Sequence, residues 1–411
     1  MKYIKELGVS QVRASGLAWG LIEPVKNKYD FTSLDKRLKM LQNTDTELIV
    51  ATLRAISPWG GNETSQKGYK RSDPITAKSG FPSDIEAWKK FIRVIVERYD
   101  GDGKDDMPGL TTPVKYWQVE GEWMWQWKDT KENYVKFLKI TYETIKEADP
   151  GASVIAGALT AVHMFALEEG LSDKDYFERG DRTDNPKRVK RQQLLHNKRY
   201  RLHKDKAEFF LSEAHEYFDI IDVHIYSRDA YAIPPVVQWV KSSMKKRGYT
   251  KPIWSLENSG PFYGYSEDKH AEEVVKRYML SLSSGIDKMF WSSLWSTIGW
   301  GENYLRLSLV DRNGRKKPAF FTYKKLRSAI DGYDEFKRFE LGGDVYAFRI
   351  KKDEKNIYVL WSEDGQEVEL PVKAARIKSM DSVSLKEKLY TVGDGVVKIK
   401  LSGIPVIVEE L

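Results

Sequence analysis

Tyr116-Trp-Gln-Val-Glu-Gly-Glu-Trp-Met-Trp-Gln-Trp127 is the stretch around which the rest of this chain is organised. By period two, Val114, Tyr116, Gln118, Glu120 and Glu122 share one face of a strand, and Lys115, Trp117 and Val119 share the other. Two carboxylates on one strand face pack poorly, because a carboxylate is seldom buried without a partner. Trp117, Trp123, Trp125 and Trp127 crowd the same segment. Acids at a strand end beside flat aromatic surfaces suit a sugar site. Carboxylates do acid/base and nucleophilic work on a glycosidic bond, and indole faces stack on the apolar faces of pyranose rings. The competing reading is a buried strand whose acids are paired with arginine. The stretch alone leaves both open.

Working outward, strands alternate with helices on both sides. Leu48 to Ala55 is almost continuously apolar, as in a parallel sheet buried on both faces. Gln11 to Gly16 precedes it. Ser153 to Leu159, Phe218 to Tyr226, Lys251 to Gly260 and Ile286 to Trp295 follow the central stretch. Amphipathic segments separate them, such as Asp84 to Tyr99 with Trp88, Phe91, Ile92 and Ile95 at helical spacing. This alternation predicts right-handed βαβ units and a parallel sheet. Polar or aromatic residues sit at or near the C-terminal strand ends: Arg13, Arg54, Glu122, Thr160, His224, Tyr226, Glu257, Trp291 and Trp295. A (β/α)8 TIM-type barrel builds its site there. A doubly wound sheet would show a Gly-rich phosphate turn after an early strand, and none is present. From about Tyr333 the pattern changes to short strands at steady spacing. The expected division is therefore a barrel over residues 1–332 and a small antiparallel β-sandwich over residues 333–411.

Composition narrows the class. The chain has 411 residues, 41% hydrophobic and 31% charged, which fits a globular protein with a full core. It contains no cysteine, so disulfides, thiolate nucleophiles and cysteine-bound metals are excluded. No run of about 18 apolar residues crosses a membrane, and Met1 to Leu7 does not read as a signal peptide. A soluble protein is expected, cytoplasmic or secreted with its signal removed. Abundant Lys and Glu without Cys is compatible with a thermophile. Histidine spacing shows no metal motif, and no cofactor is expected. The net charge of +7 is local. Lys187 to Lys206 holds nine Lys or Arg against one acid, a charge of +8. It reads first as a solvated helical insert lying outside the barrel wall over residues 180–206, and second as an anion contact. Tyr200 is its only aromatic residue besides histidine, so specific nucleic-acid binding is not expected.

Val114-Lys-Tyr-Trp-Gln-Val-Glu-Gly-Glu-Trp123 resembles the strand-four signature of the clan A retaining glycoside hydrolases, and Lys251-Pro-Ile-Trp-Ser-Leu-Glu-Asn-Ser-Gly260 resembles their strand-seven segment. Val12-Arg13, the Trp19 to Pro24 loop, Tyr29-Asp-Phe31, Ser57-Pro-Trp59, Asp222 to Tyr226 and Phe290-Trp-Ser292 also match that clan, so the resemblance covers nearly the whole chain. It implies a (β/α)8 barrel, often followed by a β-sandwich, acting on oligo- or polysaccharides. It makes Glu122 the general acid/base and Glu257 the nucleophile. It further implies that Arg13 holds Glu257 ionised, Tyr226 donates to Glu257, and His224 orients the sugar. Trp59, Trp123, Trp291 and Trp295 become candidate stacking surfaces. Two departures stand out. The clan's Asn before the acid, which holds the sugar 2-hydroxyl, is Gly121 here, with Glu120 a partial substitute. And if Glu122 ends strand four, Gln11 to Ser15 is strand two, so strand one is missing or replaced. A carbohydrate-binding pseudoenzyme and an anion- or nucleic-acid-binding barrel are the competing functions. Sugar, linkage and oligomeric state stay open.

Overall fold

The computed structural model describes every residue except 74–75, 172–175, 180–186, 195, 228 and 296–305. The chain divides into two compact units. Met1–Asp175, Lys190–His224 and Gln238–Leu256 form the first; Tyr176–Val189, Ile225–Val237 and Glu257–Leu411 form the second.

In the first unit β1 (Gln11–Ala18), β2 (Leu48–Arg54), β3 (Tyr116–Val119) and β4 (Ser153–Ile155) lie side by side in chain order, all parallel. The apolar run of β2 is buried from Ile49 onward, as a central parallel strand requires. After β4 come β5 (Tyr176–Arg179) and β6 (Lys187–Lys190), which pair with each other, then β7 (Ile221–Tyr226), β8 (Ile253–Ser259) and β9 (Lys288–Trp291). Parallel bridges Ile155 to Ile220 and Leu159 to Val223 carry the first-unit sheet onward to β7. The amide of Ile221 donating to Pro252 O links β7 to the entry of β8.

Helices cover this sheet where the periodicity places them. Helix Ile85–Tyr99 is capped by Asp84, whose Oδ1 accepts from Ala87 N at 3.0 Å. Helix Lys131–Ala148 is capped by Thr130, accepting from Asn133 N at 3.1 Å. Each cap contributes about 1 kcal/mol. The two helices meet through Trp88 and Phe137, with ring centroids 5.2 Å apart, and Trp88 Nε1 donates to Thr141 Oγ1 at 2.9 Å. Trp88, Phe91, Ile92 and Ile95 are all fully buried. Among the described residues no helix is long and apolar enough to cross a membrane.

The second unit is mostly β. β10 (Glu335–Phe339), β11 (Val345–Lys352), β12 (Lys355–Ser362), β13 (Glu367–Pro371), β14 (Arg376–Asp381), β15 (Glu387–Thr391), β16 (Val396–Lys400) and β17 (Val406–Glu410) pair antiparallel. Six form one sheet in the order β10-β11-β12-β17-β14-β15, and β13 pairs with β16. Strict alternation buries Val368 and Leu370 of β13 and Val397 and Ile399 of β16. These side chains share one core with Ala347, Leu360 and Val408 of the larger sheet. β10 and β14, Glu-Phe-Lys-Arg-Phe and Arg-Ile-Lys-Ser-Met-Asp, lack the clean alternation of β13 and β16.

Two expectations are corrected. The central strand does not run to Glu122. It ends at Val119, and Glu120 takes a left-handed backbone with φ of 61°, so period two breaks and the two acids do not share a strand face. The basic segment is mostly helical with its charges largely exposed, as expected, but it is not wholly solvated. Residues 180–186 lie outside the described residues, but Lys198–Glu213 is a 16-residue helix capped by Asn197 that buries Tyr200, His203, Ala207, Phe210 and Leu211. Lys204 Nζ pairs with Glu168 at 2.5 Å, and Lys131 pairs with Asp205 at 2.6 Å. An amphipathic helix carries its charges on one face and its core residues on the other, so a high local charge did not preclude packing.

Candidate active site

The first unit gathers a line of polar side chains from successive strands. Arg13 on β1 donates from Nη2 to Gln118 Oε1 at 2.8 Å and from Nε to Thr52 Oγ1 at 3.2 Å. Gln118 Nε2 passes the line to Asp222 Oδ2 on β7 at 2.7 Å. Asp222 is fully buried, and its other oxygen accepts from Leu256 N at 2.9 Å. His224 follows on β7, with Nε2 3.0 Å from Asp222 Oδ2 and Nδ1 3.0 Å from Glu122 Oε1. The His224 side chain is 1% exposed and that of Glu122 is 29% exposed, so the line runs from a dry interior to a carboxylate that solvent or substrate reaches.

Glu122 comes just after the break in β3 and precedes the single turn Trp123–Gln126. Gly121 beside it leaves room for a side chain. A Cβ there would meet Gln126 Oε1 at 3.6 Å and Arg13 Nη2 at 3.8 Å, both ordinary contacts.

Glu120 is not a second site acid. It is fully buried, and Arg54 Nε at 3.2 Å, Ala55 N at 2.8 Å and Ser79 Oγ at 2.8 Å occupy its carboxylate. The bland reading of the motif holds for this residue, whose desolvated charge is matched by arginine and two further donors. Trp123 is likewise core. It is fully buried and stacked on Tyr134, centroids 4.1 Å apart and planes 3° from parallel, so it offers no face to a sugar. Trp59 is half-buried, packs edge-on against Trp19 at 4.8 Å, and donates from Nε1 to Glu23 O at 2.8 Å.

The second unit holds the other candidates. Glu257 on β8 is half-buried, and Tyr226 Oη donates to its Oε2 at 2.7 Å while lying 2.8 Å from Ser292 Oγ. Trp291 donates to Leu307 O at 3.2 Å and lies 5.5 Å from the His270 ring. Trp295 is 51% exposed. Sequence reasoning missed Arg277, on helix Glu267–Ser284. Its fully buried guanidinium pairs with Glu273 at 2.9 Å and donates to Asn258 Oδ1 at 3.0 Å and Ser227 O at 2.9 Å. It thereby grips the residues that follow Tyr226 and Glu257. In sequence Glu273 and Arg277 look like an ordinary surface pair four residues apart, and nothing local marks their burial.

Among the described residues of the first unit, Asp100, Asp102 and Asp106 bring carboxylate oxygens within 4.8 Å of one another. Backbone amides of Gly101, Asp102, Gly103 and Lys104 already donate to them.

Residues 1–151 match the family model of the beta-galactosidases of glycoside hydrolase family 42. A search of curated proteins found no match. The fold is similar to a family 39 glycoside hydrolase from Bacteroides cellulosilyticus, at TM-score 0.67 and 15% identity over 100% of this chain and 77% of that one. It is similar to a glucosidase from Croceicoccus marinus, at TM-score 0.64 and 12% identity over 100% and 91%. A monomeric beta-xylosidase from Caulobacter crescentus gives TM-score 0.62 and 15% identity over 99% and 91%. These neighbours are built on TIM barrels. By the family match over its first 151 residues and by its fold, the protein resembles the clan A glycoside hydrolases.

Proposed function

We propose that this protein is a retaining glycoside hydrolase for β-linked glycosides or polysaccharides, with Glu257 as nucleophile and Glu122 as general acid/base. The observation that carries the reading is a pair of contacts from one strand. His224 holds Glu122 and Tyr226 holds Glu257. His224 and Tyr226 are two residues apart on β7, hence on one face of it. Contacts made to two carboxylates from one face of a single strand support a shared role for them. In this proposal residues 1–332 form a (β/α)8-type barrel and residues 333–411 form a β-sandwich. Arg13 then favours the ionised nucleophile by its charge.

In the first step Glu257 attacks the anomeric carbon while Glu122 protonates the departing oxygen, and a glycosyl-enzyme forms. In the second, Glu122 takes a proton from water, which displaces Glu257. Retention requires the two carboxyl groups roughly 5–5.5 Å apart. Trp291, Trp295 and Trp59 remain the candidate stacking surfaces.

The test is a panel of aryl β-galactoside, β-glucoside and β-xyloside, with the first-formed anomer followed by NMR. Turnover with retention, lost in Glu257→Gln, supports the reading. In Glu122→Ala, azide should rescue turnover of an activated substrate as a β-glycosyl azide. No turnover of any β-glycoside, or an inverted product, would sink it.

A further inference from the structure

The basic segment is absent from the mechanism above, yet the structure packs part of it against the turn that follows Glu122. Helix Lys198–Glu213 packs beside the Trp123–Lys131 segment, where Lys206 Nζ donates to Met124 O at 3.3 Å. Between the two lies an open cleft of about 560 Å³ lined by Trp127, Lys128, Leu202 and Lys206, among others. Ser79 pairs its backbone with this segment, donating to Gln126 O at 3.1 Å and accepting from Lys128 N at 2.7 Å, and so sets Lys78 alongside Lys128. The acids of the cleft are already committed. Asp205 is paired with Lys131, and Asp129 accepts from Phe81 N, Thr130 N and Asn133 Nδ2. Among the described residues no carboxylate forms an ion pair with Lys78, Lys128 or Lys206. Burial lowers the pKa of both Lys78 and Lys206, and the Lys128 charge lowers each further. Lys128 thus repels both neighbours, with Glu122 offsetting part of the effect on Lys78, and an anion in the cleft beside Lys128 and Lys206 relieves that repulsion. Leu202, 54% exposed, adds an apolar surface at the same place.

We propose that this cleft binds an anionic group of a carbohydrate, a uronate carboxylate or a sulfate ester, and that acidic oligo- or polysaccharides are the substrate class of the site. The carbohydrate half of this inference rests on the glycosidase reading; the anionic half rests on the lysines.

The experiment measures binding, so that it does not depend on turnover. Glu257→Gln protein is titrated calorimetrically with four probes: a neutral oligosaccharide, a uronate oligosaccharide and an O-sulfated oligosaccharide of equal length, and a single-stranded oligonucleotide of matched charge. Each titration is run at about 50 mM and about 500 mM salt, which shortens the screening length severalfold. The same set is repeated with Lys128→Gln/Lys206→Gln in that background. The proposal expects one or both anionic sugars to bind at least tenfold tighter than the neutral one at low salt. High salt and the double variant should each remove most of that preference. The carboxylate and sulfate arms tell the two sources apart. Equal affinity for neutral and anionic sugars, a preference that survives the double variant, or an oligonucleotide that binds as tightly as the best sugar would overturn it. Preference for an anionic sugar without turnover of any glycoside by the wild-type protein keeps this site and discards the hydrolase reading. Turnover with no preference does the reverse.

Discussion

Glu122 Oε1 and His224 Nδ1 lie 3.0 Å apart, and the opposite nitrogen of the same ring lies 3.0 Å from the buried carboxylate of Asp222. His224 Nδ1 and Glu122 Oε1 are within hydrogen-bond distance, so one proton lies between them, on the ring nitrogen or on the carboxyl.

This sharing has a kinetic signature. His224→Asn should lower kcat/KM about 10- to 100-fold for glycosides with poor leaving groups, which need the proton, within the range of general-acid contributions. The loss should shrink for activated aryl glycosides, and the alkaline limb of the pH–rate profile should move. Equal losses across leaving groups, with an unmoved profile, would reduce His224 to a packing role.

Tyr226 donates to Glu257 at 2.7 Å. A hydrogen bond to a charged group contributes about 1.5–3 kcal/mol. Tyr226→Phe should lower turnover by about 10- to 100-fold, with any loss of stability no larger than that bond's about 1.5–3 kcal/mol because the ring and its packing remain. A large fall in stability with unchanged kcat would show that the hydroxyl serves the fold instead.

Glu120 and Arg54 are a buried pair, 0% and 4% exposed. Removing one partner leaves the other charge desolvated, at a cost of about 3–5 kcal/mol. Glu120→Ala should be destabilised by that amount in urea unfolding. Glu122→Ala, with a partly exposed side chain, should change stability by less than about 1 kcal/mol and lose activity. The reverse pattern would exchange the roles of the two acids.

His270 is fully buried, with Nε2 placed to donate to Leu307 O at 3.1 Å. Burial first, then the charge of Lys317, pushes its pKa down from 6.5 to about 3. The folded chain thus holds it neutral where the unfolded chain takes a proton. Its contribution to stability is complete above pH ~6.5 and falls as pH drops toward 3, by at most about 1.4 kcal/mol per pH unit. Urea unfolding at pH 7 and pH 5 should show a loss about 2 kcal/mol larger in wild type than in His270→Gln. An identical loss in both would place the acid sensitivity elsewhere.

The local sequence carried much of this molecule. Apolar runs located β2, β4, β7 and β8, since a strand buried on both faces must be apolar almost throughout. Short strands at steady spacing marked the antiparallel region beyond Tyr333. His224, Tyr226 and Glu257 were legible as polar residues near the ends of apolar strands, whereas Arg13, expected at such an end, stands near the start of β1. Tertiary structure decided what those patterns leave open. Glu120 and Glu122 looked equivalent until one residue took a positive φ and Arg54, 66 positions away, closed over the first acid. Trp123 reads as an exposed aromatic beside an acid, but Tyr134 on the following helix covers it. The basic helix reads as a solvated run because charge is counted along the chain, whereas burial depends on which face meets a neighbour. Periodicity reports the conformation of a segment. The partner that neutralises a charge or covers a ring comes from elsewhere in the chain, and only the assembled fold brings it into contact.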